Sequence, residues 1–323
     1  MSLFSRKKPA KIVSKAVSAL EAYHHDSKND NALRIINKNF TRMTEILYKK
    51  KEGDETSQKA LQLVSEISNT QFISIGLDCM LQLPVEERKQ FTNIFTGSIT
   101  HKNANEYPIV KWILKNRDVL NTLIGFYEYP ELAISAGEML RLCAKHSEIA
   151  NEILTKEKIV KLFSFFTVPH FDVSSDSFAT FRELILTPVS DHFLKENSQM
   201  IIEELNKTLD DSNYTACRQS LKLIGEILSH HQNFQKIYLT DEHNLIVIMK
   251  LMSSSYHNIS LEALKLFILF VENNNKPEPI IRILNANNKK LIEFVNGLLE
   301  ERIEEQSINT TKLNDLLSNL SKL

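Results

Sequence analysis

The chain has 323 residues, and its 39 lysines and arginines against 40 aspartates and glutamates leave a formal net charge of -1. That balance gives no global signature of nucleic-acid binding. Seven glycines and eight prolines, far below the usual share of about 12%, exclude a fold built on many hairpin turns or on glycine-rich phosphate loops.

Residues 1–10 are basic and run into no continuous apolar stretch, so they read as a mobile arm and not as a secretory signal. The opening Met-Ser lacks the glycine that myristoylation needs. Residues 11–323 contain no clean linker and read as one helical-repeat domain. Ile12, Ala16, Ala19 and Leu20 share a helical face, as do Leu33, Ile36, Phe40, Met43 and Leu47, with polar residues 24–31 between them. A charged interruption at 49–56 precedes a return to helical spacing at Leu61, Val64, Ile67 and Ile75. The first half is less regular than the second, and the runs 61–64 and 91–95 read as comparable helices.

From Ser135 onward a rhythm emerges. Segments ending at Leu140, Phe181, Leu223 and Leu266 align, and their last apolar residues are 41, 42 and 43 positions apart. Each continues as an amphipathic helix and is followed by a polar break rich in capping residues, such as 170–175, 210–213 and 253–258. A period near 42 is that of HEAT or armadillo-like repeats, in which neighbours complete each other's core. The plainer alternative is a helical domain without repeats. Leu291, Ile292, Val295 and Leu298 give a final amphipathic helix, and residues 300–323 a last cap or a frayed end. No stretch approaches 18 uncharged apolar residues, so no membrane span is expected.

Chemistry-bearing motifs are scarce. Cys79, Cys143 and Cys217 form no CxxC pair and read as small buried hydrophobes in a reducing compartment. His230 and His231 are adjacent, a spacing that does not put two imidazoles on one helical face. Asp210 and Asp211 suit a turn better than acid catalysis. The sequence holds no nucleophile elbow, phosphate-binding loop or kinase catalytic motif. A solenoid instead offers an extended surface for a folded partner or a peptide. Arg218 and Lys222, four apart, are neighbours on one helical face and suit either solvation or recognition of an acidic partner, whereas Phe234 and Met249 taken alone suit a core.

Several ordered segments resemble the calcium-binding protein 39 family of eukaryotic kinase scaffolds, in particular a fungal member. They are Phe4 to Val13, Tyr129-Pro-Glu-Leu-Ala133, Gly137-Glu-Met-Leu-Arg141, Phe171-Asp-Val-Ser-Ser-Asp-Ser-Phe-Ala-Thr-Phe181, Asn213 to Glu226, Asn258 to Phe270 and Pro279 to Phe294. The resemblance implies an all-α, right-handed armadillo/HEAT-like solenoid in the form of a curved rod. It implies no catalysis and no cofactor, and the sequence has no EF-hand loop that would hold calcium. The implied function is to bind and activate a kinase or pseudokinase of the sterile-twenty/germinal-centre groups on the concave surface. A second pocket takes an aromatic C-terminal peptide tail in animal relatives. The fungal setting adds a link to a nuclear-Dbf2-related kinase network for polarised growth, cell separation and morphogenesis, in a cytoplasmic protein enriched at growth or division sites. The alternative is a passive adaptor that co-localises kinases.

By position in the matching motifs, Arg218 and its companion Lys222 take the partner-binding place, and Phe234 and Met249 that of the peptide pocket. Two departures concern that pocket: His231, the fifth residue assigned to partner binding, stands where the animal pattern has an arginine, and Ala286 where it has a lysine.

Overall fold

The computed structural model describes residues 8–48, 58–210, 212–300 and 310–322. The expected arm falls mainly on residues 1–7, and the charged interruption on 49–57, both outside the described residues. Among the described residues the secondary structure is helical apart from an isolated bridge between Asn103 and Glu106. The chain divides into two compact units, Met1–Val189 and Ser190–Leu323.

In the first unit the helices are α1 (Pro9–His25), α2 (Asp30–Tyr48), α3 (Gln58–Ser68), α4 (Phe72–Cys79), α5 (Val85–Ile99), α6 (Pro108–Lys115), α7 (Asp118–Gly125), α8 (Pro130–Ala144), α9 (Ser147–Ile153), α10 (Lys156–Phe163) and α11 (Phe171–Ile185). Proline supplies the first residue of α1, α6 and α8, where its missing N–H costs nothing and its fixed φ suits the helix. The packing follows a period of three helices. α2 packs on α5, α5 on α8 and α8 on α11; α3 packs on α6 and α6 on α9; α7 packs on α10. One armadillo-like repeat is therefore two short helices and one long one. The runs 61–64 and 91–95 fall on α3 and α5, and the ladder pairs α5 with α2 and α8 instead.

The second unit contains α12 (Ser190–Lys207), α13 (Tyr214–His230), α14 (Gln232–Tyr238), α15 (Glu242–Met252), α16 (His257–Glu272), α17 (Glu278–Glu300) and α18 (Thr310–Leu320). There α13 packs on α16 at the same spacing of three helices, while α12 packs on α14, α15 on α17 and α16 on α18 at a spacing of two. The four apolar residues that end the aligned segments lie on α8, α11, α13 and α16, and all are buried. The sequence rhythm thus marks the long helix of each repeat. α18 packs on α16 and α17.

Aromatic side chains fill much of the first unit's core. Phe40, Phe72 and Phe91 form a triangle with ring centroids 5.7–6.2 Å apart, and Phe166 stacks on Phe178 at 3.7 Å. The three cysteines are buried; burial pushes the Cys79 thiol up to about 12 and the Cys143 thiol higher. They pack as apolar groups.

The contact between α8 and α11 is sealed by a polar circuit built from two of the distinctive sequence motifs. Arg141 Nη1 donates to Asp176 Oδ1 at 3.0 Å and to Thr180 Oγ1 at 2.9 Å. The Tyr127 hydroxyl donates to Asp176 Oδ2 at 2.6 Å and lies 2.8 Å from Thr180 Oγ1. With the tyrosine proton committed to a carboxylate, the threonine proton points to the tyrosine oxygen and every short contact is satisfied. Burial, then the neighbouring Asp176 charge, holds the Tyr127 hydroxyl well above its usual range. Burial alone would lower Arg141, but its hydrogen bond and ion pair with Asp176 outweigh that and raise it.

Gly137 makes room for this circuit. A Cβ there would collide with Asp176 Oδ2 and lie 2.6 Å from the Tyr127 hydroxyl and 2.7 Å from Arg141 Nη1. Gly137→Ala is expected to destabilise the fold by about 1–3 kcal/mol through overpacking, despite the better helix propensity of alanine. A urea unfolding midpoint equal to or above that of the parent would show that the circuit has slack.

Candidate partner-binding surface

α13 begins with a capped turn: the Asn213 side chain accepts from the Ala216 N–H at 3.2 Å. This fixes the helix so that Tyr214, Arg218 and Lys222, spaced by four, form one stripe. The stripe faces α16. The Tyr214 ring lies 5.2 Å from that of Tyr256, which is half exposed, and Asn258 Nδ2 donates to the Tyr214 hydroxyl at 3.1 Å. Further along, Glu262 stands between two lysines. Its Oε2 accepts from Lys265 Nζ at 3.1 Å, and Lys222 Nζ is 4.0 Å from its Oε1. The carboxylate side chain is 14% exposed while Lys222 is 48% exposed, so the negative charge is sunk and the positive charges are presented.

Arg218 sits between the tyrosines and this ion cluster. It is partly buried, and its Nε is buried without a hydrogen-bond partner among the described residues. A buried guanidinium nitrogen left open is costly, and a carboxylate or carbonyl oxygen from a partner would satisfy it. The arrangement can bind an acidic or carbonyl-rich surface. Among the described residues it includes no group of three or more histidine, cysteine or acidic side chains able to hold a metal, and no helix is long and apolar enough to cross a membrane.

The other three predicted residues lie elsewhere in the unit. His231 follows α13, about 20 Å along the helix from Arg218 at 1.5 Å per residue; it is buried, with Nδ1 2.6 Å from Asp191 Oδ1. Phe234 on α14 is only 1% exposed and stacks on Tyr238, with centroids 6.2 Å apart and planes at 15°. Tyr238 in turn packs against Phe270. Phe234 therefore belongs to the interior and supports the surface from behind. Met249 on α15 is half buried, one turn from Ile246, which is 51% exposed, and Ala286 on α17 is exposed. The structure brings Arg218 and Lys222 together. It does not gather all five residues into one site.

Tyr214, Tyr256, Asn258 and Glu262 were not singled out from sequence. A usable signal existed: in the repeat alignment Lys222 and Lys265 occupy the same position, each immediately before the terminal leucine. Stacked repeats set such positions side by side. The different burial of Phe234 and Met249 predicts different costs on truncation. Phe234→Ala should cost about 3–5 kcal/mol, while Met249→Ala should cost under about 2. Denaturant unfolding of the two variants checks this, and similar small losses would contradict the buried placement of Phe234.

A Mo25-like family model matches residues 2–323. A human protein described as calcium-binding protein 39-like is 32% identical over 320 residues, covering 97% of this chain and 95% of that protein. An algal degreening-related protein from Auxenochlorella protothecoides is 33% identical, with 90% and 92% coverage. A Mo25-like protein of Schizosaccharomyces pombe is 30% identical, with 80% and 78% coverage. Among solved structures, an engineered protein matches with a TM-score of 0.50 at 14% identity, over 82% of this chain and 96% of that one; at that identity the likeness concerns the fold alone. The chain belongs to the Mo25-like family, a family of non-catalytic scaffolds.

Proposed function

We propose that the chain binds a protein kinase or pseudokinase of the sterile-twenty/germinal-centre groups and shifts it toward its active arrangement. The face of α13 and α16 is the contact surface, with Arg218 as its anchor, Lys222 as its companion and Tyr214 and Tyr256 as aromatic flanks. The observation that carries this reading is the open Arg218 Nε on a face whose neighbouring charges are otherwise paired. An arginine so placed is pre-organised for a carboxylate, and arginine with tyrosine is the usual composition of an interface hot spot.

Activation follows by population shift: a scaffold that prefers the active kinase conformation raises its share without transferring phosphate. The setting we propose is a nuclear-Dbf2-related kinase network acting in polarised growth, cell separation and morphogenesis, within a cytoplasmic protein enriched at growth or division sites. The family resemblance supports that setting. The family matches include animal, plant, algal and fungal proteins, so membership of a fungal branch is a further part of the proposal. Met249, with exposed Ile246 beside it, is the proposed contact for an aromatic peptide tail; Phe234 and His231 hold that region in place.

Reconstitution with a sterile-twenty-like kinase tests activation. The parent should raise phosphorylation of a substrate, and Arg218→Glu should weaken association at least about tenfold with unchanged helical content. Tight binding without any change in kinase activity would replace activation by passive co-localisation; equal binding of Arg218→Glu and parent would remove the residue from the interface.

For the tail, Met249→Ala is expected to weaken binding of a fluorescent peptide ending in Trp-Glu-Phe. Unaltered peptide affinity with the fold intact would move the pocket away from α15.

A further inference from the structure

α1 and α2 are joined by the short turn 26–29 and so run antiparallel. Between them lies a cavity of about 410 Å³, within the size range of small-ligand sites. The antiparallel run sets Ser14, Lys15 and Ser18 opposite Lys38, Asn39 and Arg42 at one end. Alanines 22 and 32 line the end beside the turn. Among the described residues, three cations and no carboxylate line the cavity. In a chain of net charge -1, that is a local concentration of positive charge.

Among the described residues, two side chains in this cavity each keep a buried polar atom without a partner. Asn39 is 2% exposed; its Nδ2 donates to the Ile35 carbonyl at 2.7 Å, while its Oδ1 is buried with no partner. Arg42 Nη1 is likewise buried and without a partner. Solvation alone does not explain a guanidinium nitrogen and an amide oxygen withdrawn from water and unpaired in the same groove. Lys15 and Lys38 stand exposed at the rim, where they attract an anion before it is desolvated.

We propose that this groove binds a phosphate monoester. The phosphoryl oxygens take Arg42, Lys15, Lys38 and the hydroxyls of Ser14 and Ser18, and an N–H or O–H of the ligand's body donates to Asn39 Oδ1. Guanidinium and ammonium groups bind phosphate through charge-assisted hydrogen bonds. A phosphorylated side chain in a partner segment and a free phosphorylated small molecule both carry this chemistry. The site lies on α1 and α2, away in sequence from α13 and α16, and its failure would leave the kinase-binding proposal standing.

Fluorescence anisotropy on the full chain tests it, using a degenerate peptide pool with one fixed central phosphoserine and the same pool unphosphorylated. The phosphorylated pool should bind at least about tenfold tighter. Replacing the two exposed cations together, Lys15→Gln with Lys38→Gln, should remove about that factor without changing helical content; Arg42→Gln adds a second measurement if it folds. Competition separates the sources. Displacement by free O-phosphoserine at peptide-like concentrations supports a small phosphorylated ligand, and displacement by peptide alone supports a partner's phosphorylated segment. Equal binding of the two pools, no effect of the double replacement, or displacement by inorganic phosphate as effective as by either ester would overturn the proposal.

Discussion

The structure depends on long helices that must bury two faces at once. α8 packs on α5 along one side and on α11 along the other, so an apolar stripe on a single side would leave it half solvated. Its buried residues accordingly form a stripe about 160° wide, broader than a single amphipathic seam: Leu132, Ala133, Ala136, Gly137, Met139, Leu140, Cys143 and Ala144. The small ones let neighbouring backbones approach, and the large ones fill the remaining space. No repeat in such a stack has a core of its own. Within each unit the long helices recur at nearly constant sequence distance, α8 to α11 and α13 to α16, because two shorter helices and their turns fit between them. The spacing of 41–43 residues is the length of chain that this geometry consumes.

Polar groups inside the stack meet two fates, and the contrast locates function. Tyr127, Arg141, Asp176 and Thr180 close a circuit in which each short contact has a donor and an acceptor. A satisfied buried network of this kind fixes how two helices register, and it leaves nothing for a ligand to do. Arg218 Nε and Arg42 Nη1 are open. Both belong to long side chains on long helices beside surfaces a partner can reach. The difference is one of pairing and not of residue type, since Arg141 and Arg218 are both partly buried, helix-borne arginines.

Periodicity in the sequence sufficed for the helices and the repeat because both arise from local spacing. A face at i, i+4 and i+7 is legible wherever it occurs, and Leu140, Phe181, Leu223 and Leu266 prove to be equivalent buried positions. The first half was harder to phase. There α5 answers to α2 and α8, yet the aromatic residues that pack it, Phe40, Phe72 and Phe91, come from three helices with no common spacing. The candidate surface was half legible. Arg218 and Lys222 share a helix, whereas Glu262 and Tyr256 reach them only through the packing of α13 on α16. Phe234 and Met249 could not be ranked by exposure from sequence, since an aromatic or a methionine at helical spacing reads alike in a core and in a pocket.

Near-neutral charge also constrains how such surfaces recruit partners. On the face of α13 and α16, Glu262 offsets part of the charge of Lys222 and Lys265, so its field beyond a Debye length of about 8 Å is small. Selection there must come from contact geometry: a planar guanidinium edge on the same helical stripe as Tyr214 and Lys222. Among the described residues, the groove between α1 and α2 has no such internal counter-charge. Its cations remain available to an anion arriving from solvent, and ionic strength should weaken binding there more than on the other face. A chain with nearly equal numbers of acids and bases, 40 and 39, can still present two cationic surfaces of different kinds, one partly offset from within to read shape and one whose described lining holds no counter-charge and so reads charge.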